Sequence, residues 1–270
     1  MNGIGNLGAP GQSTGGAMGQ LKQAIEQVST GKKLNSASDN AAGIAIAVEM
    51  TSNLGGLRQA NRNVGDALSA VRTAEGGVEG VSDALVRMRE LSVQAGNSTL
   101  NDSQRSIIQT ELDSLTESMN QISETTEFNG TSLLDGSTPS LNFQVGPNAT
   151  SADQLTVELQ DVGASALGVD ALSTATEASS MAGVTAIDNA LDNLGEFRAS
   201  LGGAANQLEA TGDNLRTSIL EASSSLSQVQ DTDLGEASSV LASQSVLQQA
   251  QISVQVQANA TQQSVLRLLG

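Results

Sequence analysis

The sequence predicts a mainly α protein: long antiparallel coiled-coil helices from both chain ends forming a rod, with one small β-hairpin region. Three observations predict it. Apolar residues keep a strict 4-3 spacing over long stretches, aromatic residues are almost missing, and only one region alternates apolar with polar. Of 270 residues, 38% are hydrophobic, yet there is no Trp, no Tyr and only three Phe. Thick globular cores are normally filled with aromatic rings. A core of Ala, Leu, Val and Ile suits thin seams between helices.

The elements follow in chain order. Met1 to Gly16 is Gly-rich and reads as a flexible leader, since glycine costs helix stability. Its Gly3-x-Gly5-x-x-Gly8 has no room for the preceding strand that a dinucleotide site needs. Leu21, Ile25 and Val28 begin a helical stripe. Asn35 to Asn40 supplies side chains that accept amide hydrogens at a helix start. A long helix then carries Leu57, Val64, Leu68, Val71, Val78, Val81, Leu85 and Met88, and it ends near Gly96. Asn101 with Gln104 reads as a capping box, opening a helix striped by Ile108, Leu112, Leu115, Met119 and Ile122.

From Phe128 to Leu159, turn residues punctuate two alternating runs, Leu141 to Val145 and Leu155 to Leu159, which predict a hairpin. Asp161 to Ala182 is weakly patterned and reads as a surface connection. From Ile187 the 4-3 steps run through Leu191, Leu194, Arg198, Leu201, Ala205, Leu208, Gly212, Leu215, Ile219, Ala222 and Leu226 to Val229. At ~1.5 Å per residue this stripe spans roughly 60 Å. Ala237 to Leu266 carries no charge. Its Val240, Leu241, Val246, Leu247, Ile252, Val254 and Val256 leave apolar groups on more than one face, so the segment should be buried against another chain.

Composition excludes several functions. With no His and no Cys, the commonest general base, the thiol nucleophile and nearly all zinc and copper sites are gone. No enzyme activity, cofactor or metal is expected. Glu124 with Glu127, and Asp231 with Asp233, read as solvated helix faces. A net charge of −17 opposes binding to nucleic acid or an anionic membrane. No run reaches the ~20 apolar residues of a membrane span. The uncharged start lacks the pattern of a cleaved secretory signal. Asn97, Asn129, Asn148 and Asn259 begin Asn-x-Thr triplets, read as accidental, while the Ser- and Thr-rich centre leaves room for O-linked sugars.

These residues resemble one family. Leu34-Asn35-Ser36-Ala37-Ser38-Asp39-Asn40-Ala41-Ala42-Gly43 is similar to the segment after the first helix of bacterial flagellins. Gln59 to Asn63, Thr73 to Gly76 and Arg87 to Ala95 resemble the blocks that follow. Phe128-Asn129-Gly130, Leu133 to Gly136 and Phe143 to Gly146 resemble the hairpin region. Leu247 to Ala250, Gln257 to Asn259 and Val265 to Leu269 resemble the family's ending. The opening Met1-Asn2-Gly3-Ile4-Gly5-Asn6 departs from the family pattern.

The resemblance implies a structural subunit that polymerises into the flagellar filament for swimming motility. Alternatives are a hook-associated junction protein of the same superfamily and a secreted coiled-coil adhesin. It implies an inner-core segment at 1–36, an outer-core region at 37–176, a long outer-core helix at 177–233 and an inner-core helix at 234–270. Contacts between subunits are expected at Leu21, Ile25, Val28, Val240, Leu247, Val254, Leu266, Leu268 and Leu269. Implied partners are further flagellin copies, an export chaperone and a filament cap protein. The Arg87 block is similar to the surface read by the vertebrate Toll-like receptor for flagellin, with Arg87, Leu91 and Glu111 at the contact positions; the plainer reading makes these residues filament contacts, a surface that a host receptor would exploit. Val86 stands where family members often carry Gln. The implied location is the extracellular flagellum, reached without a cleaved signal peptide, and the lack of large outer domains implies a thin, smooth filament.

Overall fold

The computed structural model describes residues 11–269, with the side chains of residues 18–261, 263, 264 and 267. Five long helices and two small antiparallel sheets make up the described chain: α1 (Gly11–Thr30), α2 (Ala41–Ala95), α3 (Asp102–Thr125), β1 (Glu127–Phe128), β2 (Thr131–Ser132), β3 (Ser140–Gln144), β4 (Gln154–Glu158), α4 (Glu177–Gln230) and α5 (Leu234–Leu269). The chain divides into two compact units, a central one at Asn53–Leu220 and a terminal one from Met1–Ser52 with Glu221–Gly270.

In the central unit, α2 is organised by two heptad columns. Leu57, Val64, Val71, Val78, Leu85 and Ser92 form one; Ala60, Ala67, Ala74, Val81, Met88 and Ala95 form the other. Every one of these residues is buried. A strict seven-residue repeat keeps both columns turned to the same neighbours, as in a coiled-coil seam. The sequence reading found most of the first column and missed the alanines of the second, because alanine carries little hydrophobic signal.

α4 runs antiparallel to α2. Val64 faces Gly212 and Ser92 faces Gly183, while Arg72 pairs with Glu209 at 3.2 Å and Arg89 with Asp188 at 2.6 Å. Ile187, Leu194, Leu201, Leu208 and Leu215 are buried as the sequence predicts. The second column differs in its first half: Ala190 and Phe197 are buried there, with Leu191 and Arg198 only half-buried. This removes the one charged residue from the seam.

α3 folds back on α2 after a tight turn. Asn101 Oδ1 accepts the Gln104 amide hydrogen at 2.9 Å, and Gln104 Oε1 accepts that of Asn101 at 3.0 Å, the expected capping box. Arg105 is buried, and its guanidinium donates to the carbonyls of Ala95 and Asn97 at the end of α2. A cation there meets the negative end of the helix dipole.

The hairpin β3–β4 pairs Leu141 with Val157 and Phe143 with Leu155, close to the expected strands. A second, shorter hairpin, β1–β2, closes through Asn129 (φ 51) and Gly130 (φ 76). Two consecutive positive φ values define a type I′ turn, which Asn-Gly suits. Two paired residues are too few for an alternation pattern, so the sequence reading did not assign these strands.

Asp161 to Ala182 is not a surface connection. Val162, Ala164, Leu167, Val169 and Thr174 are buried. The Gln109 amide holds this strap by donating to the Leu172 carbonyl (3.0 Å) and accepting from the Thr174 N–H (2.8 Å). Asn120 Oδ1 accepts the Ala164 N–H at 2.9 Å. Side-chain amides satisfy a backbone that no sheet covers.

In the terminal unit, α1 packs along α5. The helix begins at Gly11, so the flexible leader is corrected for residues 11–16; residues 1–10 of that reading lie outside the described residues. Packing against α5 outweighs glycine's intrinsic cost, since most helix stability in proteins comes from tertiary contact.

Two adjacent glycines test the packing of the short hairpin on α2. A Cβ on Gly77 would sit 2.6 Å from Leu134 Cδ1 and 2.7 Å from Thr126 Oγ1, whereas nothing lies within 4 Å of one on Gly76. Leu134 is fully buried and cannot retreat. Gly77→Ala is expected to destabilise by about 1–3 kcal/mol through overpacking. Gly76→Ala should stabilise by about 0.5–1 kcal/mol through helix propensity. Urea midpoints of the two variants must shift in opposite directions.

Candidate functional site

The terminal unit is built from unusual material. Its buried apolar side chains, among the described residues, are Ala24, Ala47 and Ala237. The larger ones lie outside. Of sixteen exposed large hydrophobic residues in the described chain, eleven belong to this unit: Met18, Ile25, Ile46, Val48, Leu234, Val240, Val246, Leu247, Ile252, Val254 and Val256.

The α1–α5 contact explains the inversion. Ala24 and Ala237 are each 4% exposed, and small side chains at a seam let two helix backbones approach closely. Leu21 and Val28 lie half-buried beside that seam, while Ile25 is turned out and 51% exposed. Gln20 and Gln244 bond at 3.0 Å across the pair. Val240, Leu247 and Val254 are 42%, 51% and 65% exposed. They recur every seven residues and share one face. Val246, Ile252 and Val256 occupy others. The side chains of Leu266, Leu268 and Leu269 lie outside the described residues.

Where α1 gives way to α2, and α4 to α5, the two breaks are tied together. Gly31 takes φ +69 at the end of α1, the left-handed conformation that closes many helices. Its carbonyl accepts the Thr232 N–H at 2.9 Å, and the Lys33 N–H donates to the Gln230 carbonyl at 2.8 Å. Lys33 Nζ adds a bond to the Gln228 carbonyl at 2.7 Å. On the other side, Asn40 Oδ1 accepts the Gly43 N–H at 2.9 Å, the expected start of α2. Asp39 Oδ2 accepts the backbone N–H groups of Ser36 and Asn35 at 2.9 and 3.1 Å. These two bonds, that of Ser36 first, hold the Asp39 carboxyl below the usual carboxylate value of 3.8.

The residues of the Arg87 block lie in the central unit and are only partly brought together. Arg87 pairs with Glu111 at 2.8 Å and with Glu90 at 3.0 Å. These carboxylates, Glu111 first, raise the guanidinium's pKa. Leu91 does not join this surface: it is 2% exposed and packs in the core. Its place beside Arg87 in sequence concealed this, because a helix turns successive residues to different faces. Val86 and Val93, by contrast, are exposed.

Asp39 gives the joint between α1 and α2 a pH dependence. Its folded pKa is depressed, so the stabilisation is complete above 3.8 and is lost as pH falls through the lower folded value. Hydrogen exchange of the Asn35 and Ser36 amides, corrected for intrinsic rates, should show protection that disappears only below that point. Asp39→Ala should abolish the protection at neutral pH.

Comparison with known proteins agrees with this architecture. Residues 13–138 match the bacterial flagellin N-terminal helical region, and residues 184–269 match the bacterial flagellin C-terminal helical region. The chain is 35% identical to the flagellin of Bacillus subtilis (strain 168), with 91% of each chain covered. It is likewise 35% identical to the flagellin of Halalkalibacterium halodurans, with 93% of each covered. Among solved structures, the crystal structure of Bacillus cereus flagellin superposes with a TM-score of 0.51 at 27% identity, over 57% of this chain and 88% of that one. A chain that matches both helical ends and spans nearly the full length of such relatives belongs to the bacterial flagellin family.

Proposed function

We propose that α1 and α5 form the assembly surface of this flagellar filament subunit, with neighbouring copies covering the apolar faces the chain leaves open. The protein is a structural component of the extracellular filament. The observation that carries the assembly surface is the inverted terminal unit, in which alanines are inside and eleven larger apolar residues outside.

Magnitudes favour many neighbours over one. Completing the burial of a half-exposed Val, Leu or Ile is worth about 1 kcal/mol, so the set offers on the order of 10 kcal/mol. Association itself costs about 4–15 kcal/mol. A single partner would cover one face of α5 and recover only part of the gain. Covering several faces at once requires a lattice, and a repeating head-to-tail contact that does not close gives a helical polymer.

In this reading the terminal segments, 1–36 and 234–270, form the inner layer, and residues 37–233 form the outer one. Leu21, Ile25, Val28, Val240, Leu247, Val254, Leu266, Leu268 and Leu269 carry the contacts. The charge-free run of α5 suits a buried position, where unpaired charge is costly. The same apolar surface needs an export chaperone before assembly and a cap protein at the growing end, with export by a route that uses no cleaved signal peptide. The short, pinned strap where larger relatives carry outer domains leaves a thin, smooth filament. Arg87 and Glu111 offer a host Toll-like receptor a charged surface without Leu91; Arg87→Ala should lower receptor signalling by soluble subunits while leaving their helicity unchanged.

Val254→Lys tests the assembly surface. Burying an uncompensated ammonium costs about 3 kcal/mol or more, which raises the critical concentration for growth from filament seeds by roughly 100-fold. Circular dichroism should be unchanged, because Val254 is 65% exposed in the single chain. Growth at the normal concentration would exclude this face from the interface.

A further inference from the structure

We infer that Asn129 is a site of spontaneous backbone-directed deamidation, made permissive by the β1–β2 turn. Two asparagines are followed by glycine, Asn2 and Asn129, and Asn2 lies outside the described residues. Asn129 is exposed, as is Gly130. Gly130 carries no Cβ, and nothing lies within 4 Å of where one would stand, so the approach to its backbone nitrogen is open. Among the described hydrogen bonds, none is donated by the Gly130 N–H. None engages the Asn129 side-chain amide either.

Other asparagines in turns and caps are held differently. Asn97 Oδ1 accepts from the Thr99 N–H and hydroxyl at 3.0 and 2.9 Å. Asn40 and Asn101 cap helices. Asn142 accepts the Thr156 hydroxyl at 2.5 Å. Each of these amides would lose a bond on reacting, and each is followed by a residue whose side chain hinders the approach.

The chemistry needs only water. The Gly130 nitrogen, losing its proton to solvent, attacks Asn129 Cγ and forms a new C–N bond. The Cγ–Nδ2 bond then breaks, and the amide nitrogen leaves as ammonia, giving a five-membered imide. Water opens either carbonyl of that imide. One opening yields aspartate in the normal backbone, and the other yields isoaspartate, with one extra carbon in the main chain. The sum is asparagine plus water giving an acid plus ammonia, with no oxidant or reductant.

Two consequences follow at this place in the fold. A two-residue turn has no slack, so an extra main-chain carbon breaks the Phe128–Thr131 pairing. Asn129 also lines a groove with Phe128, Phe143 and Asp66, so the new carboxylate faces an existing one. Each modified copy gains one negative charge, and the isoaspartate copies a loosened hairpin as well.

The experiment holds the folded chain in warm, mildly alkaline buffer, with a parallel sample in urea, and maps deamidation by peptide mass spectrometry with isoaspartyl-specific methylation. The expected result, among the asparagines of residues 11–269, is conversion in the folded chain concentrated at Asn129, divided between aspartate and isoaspartate. That signal should be lost in Asn129→Gln. Asn129→Asp, which keeps a turn-compatible residue, supplies the unrearranged product as a reference for folding and charge. Conversion of Asn129 only in urea would overturn the inference, because the folded turn would then be protective. Equal or faster conversion at Asn97 or Asn148 in the folded chain would overturn it as well.

Discussion

The packing of α1 along α5 with alanine as its buried apolar side chain constrains much else in the terminal unit. A helix pair whose buried apolar side chains, among the described residues, are Ala24 and Ala237 has short residues inside and carries its larger apolar groups elsewhere. On a soluble helix those other faces would normally be charged. Here Ala237 to Leu266 carries no charge, and Gln, Ser and Asn stand between the valines and leucines. Such polar, uncharged groups can be buried at modest cost if they find hydrogen-bond partners, whereas a carboxylate or ammonium cannot. The segment's composition therefore tolerates water before assembly and burial after it.

The central unit applies the same heptad geometry to the opposite end. Along α2, both columns turn inward, and the second passes from small to large, Ala60, Ala67 and Ala74 giving way to Val81 and Met88. The facing helix α4 answers with Leu194, Leu201, Leu208 and Leu215. Nearly all the chain's deeply buried large side chains lie there. Polar details close what the seams leave open: Arg105 meets the carbonyls ending α2, and Gln109 and Asn120 hold the strap. Single substitutions in its seams act on buried contacts within the chain, whereas those on the exposed faces of α5 test the proposed assembly.

Much of this was legible in the sequence, and the parts that were not have physical reasons. The capping box at Asn101 and Gln104 is local, needing only residues three apart, and it appears as read. The Leu and Val columns and the β3–β4 hairpin were visible because their periodicity lies in strongly apolar residues. The alanine column was not, since alanine is common on any helix face. The strap was mistaken for a surface connection because backbone-to-amide bonds from Gln109 and Asn120 leave no periodic trace. Leu91 illustrates a different limit. Glu90 and Val93 near it in the chain face solvent, but its own direction is set by helix phase, and position 91 lies three residues beyond the buried Met88.

Charge is divided as unevenly as apolar surface. Twenty-two of the 29 acidic residues lie between Asn53 and Leu220, in the central unit. Exposed like charges repel over a Debye length, about 8 Å at physiological ionic strength. Copies approaching through their central units therefore meet a barrier that copies approaching through α1 and α5 do not. The acidity thus acts as selection among contacts. It weakens random association of the well-folded surface and, under the proposed assembly, favours the sparsely charged α1 and α5, whose charges are Lys22, Glu26, Glu236 and Arg267, so charge withheld would guide the order of the polymer as much as apolar groups exposed.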